Sequence, residues 1–135
     1  MNNINSIRIL PNSKSTFPKE LDFKLFVEKT MGDRGGYYYF PGAMMQCPDD
    51  TLVLFQYDGK IRAYGILIDK CKKISFDEQG NTYAGYYKFD VNNLRYLNSP
   101  IDRDSITKIY PEFTGFSRAK QRIPIEYLDD ILAIL

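Results

Sequence analysis

The sequence predicts an α+β fold in which a strand-rich body is followed by helices that pack on it. Apolar and polar residues alternate between turn residues up to Asn98-Ser99-Pro100, and beyond that point the apolar spacing becomes helical. Of the 135 residues, 44% are hydrophobic and 26% are charged, which predicts a single globular domain over residues 1–135.

The predicted sheet is built around a β-hairpin over residues 51–57 and 60–70. Asp58-Gly59 joins these two apolar runs, and both positions of such a turn require positive φ. Gly65 lies inside the second run, which indicates a bulge or a close backbone approach. Apolar alternation predicts further strands over residues 7–10, 82–90 and 94–97.

Helices are predicted near the start of the chain and in its last third. Residues 17–29 fit both the strand and the helix period, and Thr16 as a cap with Pro18 in the first turn favours a helix. Asp102 is expected to cap the next helix, and Pro124 to begin the last one. The inner side of that last helix is predicted to carry Ile125, Leu128, Ile131, Leu132 and Leu135.

A run of aromatic residues, Tyr37-Tyr38-Tyr39-Phe40, follows Gly35-Gly36. Alternate side chains of a strand point to opposite faces, so at most half of these rings can face one core. The others must pack on a second layer or line a cleft, which suits tyrosine because its ring stacks while its hydroxyl needs a polar partner. Ordinary aromatic filling of a strand is the alternative interpretation.

The composition excludes several classes of chemistry. The chain has 0 His and 2 Cys, so it lacks histidine bases, Cys-His pairs and the ligands of a zinc site. We therefore expect no cofactor and no metal. A net charge of +1 means that a nucleic-acid site would have to be a local patch. The chain shows no secretory signal and no bilayer-spanning apolar run, which predicts a cytoplasmic protein with no membrane partner.

Three segments share a pattern with a known family. Residues 50–55 form a predicted strand that ends in an aromatic side chain. The next predicted strand of the hairpin, residues 63–67, contains a glycine. Pro100-Ile101 opens a short helix, and an Arg/Gln-rich stretch over residues 118–122 precedes the helix that begins at Pro124. In these segments the chain resembles the EVE branch of the PUA-like superfamily. The resemblance implies a small β-barrel with flanking α-helices and an aromatic pocket.

The resemblance also implies a function. EVE-type domains bind nucleic acid, and several relatives accept a flipped, often methylated base in the pocket. We therefore expect a non-enzymatic recognition module for a modified base, with DNA preferred to RNA as its partner. Such modules occur in modification-dependent restriction systems, which implies a nuclease or NTPase domain or subunit as a further partner and a place within a larger protein.

Two sets of residues are candidates for this site. A flipped base needs π faces for stacking and polar groups for its edge. The candidate base pocket consists of Tyr37, Tyr38, Tyr39, Tyr64, Tyr86, Tyr87 and Asp33. The candidate phosphate contacts are the basic residues Arg118, Lys120, Arg122 and Lys108. Tyrosines that fill the core and a solvated helix face are the structural alternatives to these two sets.

Two further functions stay open. Pro48-Asp49 followed by Asp58-Gly59-Lys60 matches the PD…DxK pattern of nucleases, in which carboxylates bind Mg²⁺ and a lysine orients the water. Asp58 is predicted at the hairpin tip and Asp49 at the other end of the strand, so roughly 20 Å would separate two ligands of one ion. The other alternative is a protein-interaction domain whose exposed tyrosines contact a partner chain.

Overall fold

The structure, a computed structural model, describes residues 3–116 and 121–135. Its strands are β1 (Ser6–Asn12), β2 (Tyr37–Phe40), β3 (Thr51–Tyr57), β4 (Lys60–Cys71), β5 (Ser75–Phe76), β6 (Thr82–Tyr83), β7 (Gly85–Phe89), β8 (Arg95–Ile101) and β9 (Arg122–Ile123). Its α-helices are α1 (Glu20–Leu25), α2 (Met31–Asp33), α3 (Arg103–Ile109) and α4 (Leu128–Ile134). A π-helical turn, Phe26–Thr30, joins the first two helices, and 3₁₀ turns lie at Val91–Asn93 and Ile125–Tyr127.

Seven strands form one mixed sheet in the order β2-β7-β4-β3-β1-β9, and β8 also pairs with β4. β1 runs parallel to β3, and the other neighbours in this sheet are antiparallel. One edge of the long β4 pairs with β3, while its other edge pairs first with β8 and then with β7. This arrangement confirms the predicted α+β class.

The described part of the sheet does not close into the barrel that the family resemblance implied. β2 pairs with β7 and β9 pairs with β1, but the two edge strands do not pair with each other. β2 and β9 are short, with 4 and 2 residues, and they lie at opposite ends of the strand order with β7, β4, β3 and β1 between them. The sheet therefore keeps an open edge at β2.

The predicted hairpin is confirmed. Asp58 and Gly59 have φ values of 51° and 76°, as a tight turn between β3 and β4 requires. Gly65 marks a close approach, because a Cβ at this position would lie 2.9 Å from a methyl carbon of Leu94. The predicted strand over residues 82–90 is interrupted at Ala84 and forms β6 and β7.

The helix predicted near the start exists, but its cap was predicted wrongly. The helix begins at Glu20, and the Asp22 carboxylate accepts a hydrogen bond from the Lys19 N–H at 2.9 Å. Thr16 instead belongs to the preceding turn, where its N–H donates to the Ser13 carbonyl at 3.2 Å. Buried Arg62 forms an ion pair with Glu20 and thereby holds the first turn of α1 against β4.

The C-terminal helices largely follow the prediction. Asp102 caps α3 by accepting a hydrogen bond from the Ser105 N–H at 2.9 Å. Ile131 of α4 is buried as predicted, whereas Ile125 is 44% exposed because it lies in the 3₁₀ turn before that helix. Within residues 3–116 and 121–135, no helix has the length and apolar composition needed to span a bilayer.

The sheet separates two hydrophobic cores. The first core lies against α1 and the π-helical turn and includes Phe23, Val27 and Phe55. The second core lies against α3 and α4 and includes Ile106 and Ile131. Both cores draw on β3, whose residues alternate between the two faces.

Gly36 is expected to be indispensable for the attachment of β2. Its φ is +96°, and a Cβ at this position would lie 2.1 Å from the Phe89 carbonyl oxygen, where backbone cannot move aside. We expect Gly36→Ala to lower the free energy of unfolding by at least about 2 kcal/mol. Urea unfolding measures the change, with Gly42→Ala as the control because a Cβ there would have no atom within 4 Å. Equal stability of the two variants would contradict the prediction.

Candidate functional site

A cleft of about 610 Å³ opens beside β2, the edge strand of the sheet. Its walls come from the end of β1, the loop that follows β1, the π-helical turn and β2. This volume lies in the range of small-molecule sites, about 300–1,000 Å³. The aromatic side chains that line it are Phe17, Phe26, Tyr38, Tyr39 and Tyr83.

Tyr38 and Tyr39 both reach the cleft although they are consecutive strand residues. Tyr38 points to the core side, where its ring centroid lies 5.7 Å from that of Phe26 and 6.0 Å from that of Tyr87. Tyr39 points to the other face and stacks on Tyr83, with centroids 5.5 Å apart and the planes 26° from parallel. Since β2 is the edge of the sheet, side chains from both of its faces contribute to the same cleft.

Buried Asn12 connects this cleft to the central strands. Its Oδ1 accepts a hydrogen bond from the Tyr38 hydroxyl at 2.6 Å. Its Nδ2 donates to the carbonyls of Leu10 at 3.1 Å and Gln56 at 3.2 Å. Burial raises the pKa of the Tyr38 hydroxyl, so this group stays protonated and remains a donor at neutral pH.

Arg34 is the one charged side chain among the described residues that line the cleft. Its guanidinium lies 4.9 Å from the ring centroid of Tyr39 and 5.7 Å from that of Phe26. Nε and Nη2 donate to the two carboxylate oxygens of Glu78, each at 2.8 Å. The hydrogen bonds from Arg34 lower the pKa of Glu78. The same hydrogen bonds to Glu78 raise the pKa of Arg34.

The loop between β5 and β6 positions Tyr83 and Glu78. The Asp77 carboxylate accepts hydrogen bonds from the backbone N–H groups of Gln79 and Asn81, each at 2.9 Å. It also accepts one from the Tyr83 hydroxyl at 3.0 Å. Hydrogen bonds from Asn81 are the main cause of a lowered pKa of Asp77. A short acidic turn therefore orients one aromatic wall of the cleft.

The predicted base-pocket residues fall into separate places. Tyr38 and Tyr39 line the cleft. Tyr37 and Tyr86 contact each other edge to face on the outer side of β2 and β7, with centroids 5.0 Å apart. The ammonium of Lys88 lies 5.4 Å from the Tyr37 ring centroid.

The other predicted pocket residues do not belong to the lining of the cleft. Tyr87 is fully buried in the first core, where its hydroxyl oxygen accepts a hydrogen bond from the Met45 N–H at 2.6 Å. Tyr64 packs against the second core. Asp33 is exposed and forms an ion pair with Lys29 at 3.0 Å.

The predicted phosphate contacts are only partly described. Arg118 and Lys120 lie outside the described residues. Arg122 is exposed on β9, opposite Arg8 in the strand register. Lys108 is exposed on α3, and neither it nor Arg122 lines the cleft.

The residues of the nuclease pattern lie apart. β3, which spans Thr51–Tyr57, separates Asp49 from Asp58. Asp58 lies in the hairpin turn and forms an ion pair with Lys14 at 3.1 Å. No group of three or more His, Cys, Asp or Glu with metal-binding geometry occurs within residues 3–116 and 121–135.

Sequence reasoning missed nine of the eleven described residues that line the cleft. They are Pro11, Asn12, Ser13, Thr16, Phe17, Phe26, Arg34, Pro41 and Tyr83. Arg34 and Pro41 lie close to the aromatic run in sequence, which was the only local signal. The others come from the end of β1, the segment that follows it, the π-helical turn and β6, and only the folded chain brings them together.

Loss of the Tyr38 hydroxyl should leave a buried acceptor without its donor. Asn12 is 8% exposed, so we expect Tyr38→Phe to lower the free energy of unfolding by about 1–3 kcal/mol. Urea unfolding measures the change, and Tyr37→Phe on the outer face of the same strand is the control. An equal loss of unfolding free energy in both variants would mean that the hydrogen bond to Asn12 does not stabilise the fold more than an outer-face hydroxyl does.

The Arg34–Glu78 pair should stabilise the fold more at neutral pH than in acid. The folded pKa of Glu78 lies below its unfolded value, so the stabilisation is present above about pH 4.3 and is lost as the pH falls through the folded pKa. Glu78 is half exposed, so Glu78→Gln should cost less than about 1 kcal/mol at pH 7, and the cost should be smaller near pH 3. Urea titrations at both pH values test this, with the exposed Glu126→Gln as the control. A cost as large near pH 3 as at pH 7 would contradict the prediction.

Comparison with known proteins identifies the fold. No protein-family model and no curated protein match the chain. ASCH from Zymomonas mobilis is similar in structure, with a TM-score of 0.62 and 9% identity over 95% of this chain and 94% of that chain. The YTH domain of the Zygosaccharomyces rouxii MRB1 protein, in complex with N6-methyladenosine RNA, has a TM-score of 0.60 and 12% identity over 96% and 86%. The chain therefore shares the α+β fold of these two domains, while its place in the PUA-like superfamily and in the EVE branch stays a prediction.

Proposed function

We propose that this chain is a nucleic-acid-binding module that holds a single extrahelical base, preferably a modified one, in the cleft beside β2. The observation that carries the proposal is the aromatic lining by Tyr38, Tyr39 and Tyr83 around a volume of about 610 Å³. A base that leaves its stack regains about 1–3 kcal/mol on each aromatic ring it contacts. The hydroxyls of Ser13 and Thr16 at the lining are hydrogen-bonding groups for the base edge.

The chemistry of the cleft favours binding over catalysis. Burial raises the pKa of Tyr38, and burial together with the Asp77 hydrogen bond raises the pKa of Tyr83. Both phenols are therefore neutral at physiological pH and serve as stacking rings and donors, not as bases. The Arg34 guanidinium is engaged by Glu78. None of these groups is poised as a nucleophile, which supports a non-enzymatic module.

A methylated adenine is the first ligand to test. The YTH domain that shares this fold was solved with N6-methyladenosine RNA. Single-stranded RNA is therefore the first partner to test. The sequence resemblance favoured DNA and a place in a modification-dependent restriction system with a nuclease or NTPase partner, and we keep DNA as the second candidate.

The outer face of β2 and β7 is a candidate contact surface for the nucleotides that flank the bound base. Tyr37 and Tyr86 form a half-buried aromatic pair on the outer face of the sheet next to Tyr39, and Lys88 lies over Tyr37. We propose stacking and phosphate contact there. Arg122 and Lys108 remain candidates for more distant phosphate contacts, and their neutralisation should reduce the salt dependence of binding.

Loss of a single cleft ring should weaken base binding. We expect Tyr39→Ala and Tyr83→Ala each to weaken binding of a short N6-methyladenosine RNA at least about tenfold, since each removes a stacking surface. Fluorescence anisotropy measures affinity, and Tyr64→Ala is the matched control, because Tyr64 packs against the second core and does not line the cleft. Methylated and unmethylated RNA and DNA, single-stranded and duplex, are compared in parallel.

These binding measurements distinguish the possible functions. Equal affinity for methylated and unmethylated strands would refute recognition of a modified base while leaving nucleic-acid binding intact. A failure to bind any strand at low salt would refute the proposal and favour the protein-interaction domain. Cleavage of DNA with Mg²⁺ that disappears in Asp49→Ala would favour the nuclease.

A further inference from the structure

We propose that Arg34 makes this cleft selective for bases without a positive charge, an inference that rests on the function proposed above. Aromatic clefts are in general attractive to cations, because the face of each ring carries negative potential. They therefore suit trimethylated lysine or a permanently charged methylated base as well as a neutral one. In this chain a protein cation already lies in the cleft, which changes the class of ligand that it accepts.

The guanidinium is held in place on several sides. It lies over the rings of Tyr39 and Phe26, at 4.9 Å and 5.7 Å from their centroids. Its two hydrogen bonds to Glu78, both 2.8 Å long, form the planar fork that fixes an arginine most firmly. Arg34 therefore cannot swing away from the cleft without the loss of all four contacts.

The positive charge faces the cleft, and the compensating negative charge does not. The Arg34 side chain is 13% exposed and lines the cleft. The Glu78 side chain is 53% exposed, and neither its carboxylate nor that of Asp77, whose charge also acts on Arg34, belongs to the lining. Among the described residues, the guanidinium is thus the charged group at the lining itself, and we expect it to disfavour a cationic ligand that stacks there.

The same arrangement defines what the cleft should accept. Neutral rings can stack on Tyr38 or Tyr83 without electrostatic penalty, and an acceptor atom of the base or a phosphate oxygen would face the positive charge favourably. N6-methyladenine is neutral, whereas its isomer 1-methyladenine carries a positive charge at neutral pH. The two isomers differ little in size, so a difference in their affinities reports the effect of charge and not of volume.

The test compares these isomers in otherwise identical short single-stranded RNAs. We expect the wild-type protein to bind the N6-methyladenosine strand at least about tenfold more tightly than the 1-methyladenosine strand. Arg34→Gln should raise the relative affinity for the charged isomer and reduce this ratio at least about fivefold. Arg34→Lys retains a positive charge and should keep most of the discrimination. Near-ultraviolet circular dichroism of the tyrosines verifies that each variant keeps its fold.

The outcomes separate this inference from the function on which it rests. If Arg34→Gln left the ratio of the two affinities unchanged, shape and not charge would distinguish the isomers. That result would overturn the inference about Arg34 and leave the proposed function intact. Tighter binding of the charged isomer, or of a trimethyl-lysine peptide, would overturn it as well. If the wild-type protein bound neither strand nor any unmodified strand, the proposed function itself would fail and the inference with it.

Discussion

The structure depends on the burial of β3 on both of its faces. Residues 51–55 are all buried, with Val53 and Phe55 in one core and Leu52 and Leu54 in the other. A strand can serve two cores because its side chains alternate, provided that both neighbouring edges are paired. β1 occupies one edge in parallel and β4 the other in antiparallel orientation, so each helical layer rests on the same central strand.

The cleft is built outward from this centre. β1 ends at Asn12, which lies opposite Tyr57 of β3 and donates to the Gln56 carbonyl. Tyr38 is in turn bound to Asn12, so the floor of the cleft is continuous with the core. The rim has a different origin, because carboxylates of the exposed β5–β6 turn hold Tyr83 and Arg34 there. Floor and rim thus rest on different kinds of interaction: neutral hydrogen bonds to the core strands hold the floor, and bonds to carboxylates hold the rim.

The absence of tryptophan shapes the chemistry of the site. The chain has 0 Trp and 11 Tyr, so its stacking surfaces carry hydroxyls that need partners. Tyr38 and Tyr83 meet this need with Asn12 and Asp77, and the rings are oriented by those bonds. The fold is shared with domains of 9% and 12% identity, and a fold alone does not define a function. The proposed base recognition therefore rests on the side chains of the cleft.

The sequence by itself determined several features of the local structure. Asp58-Gly59 predicted the hairpin because both residues must adopt positive φ, and Asp102 predicted the start of α3 because its carboxylate satisfies an unpaired N–H. The aromatic run also had to divide between two faces, as it does. The tertiary structure alone decided which rings meet Tyr38 and Tyr39, that Arg34 lies over them, and that the sheet stays open at β2. Local rules act over a few residues, whereas the cleft joins segments from Asn12 to Tyr83 through strand pairings of long sequence separation.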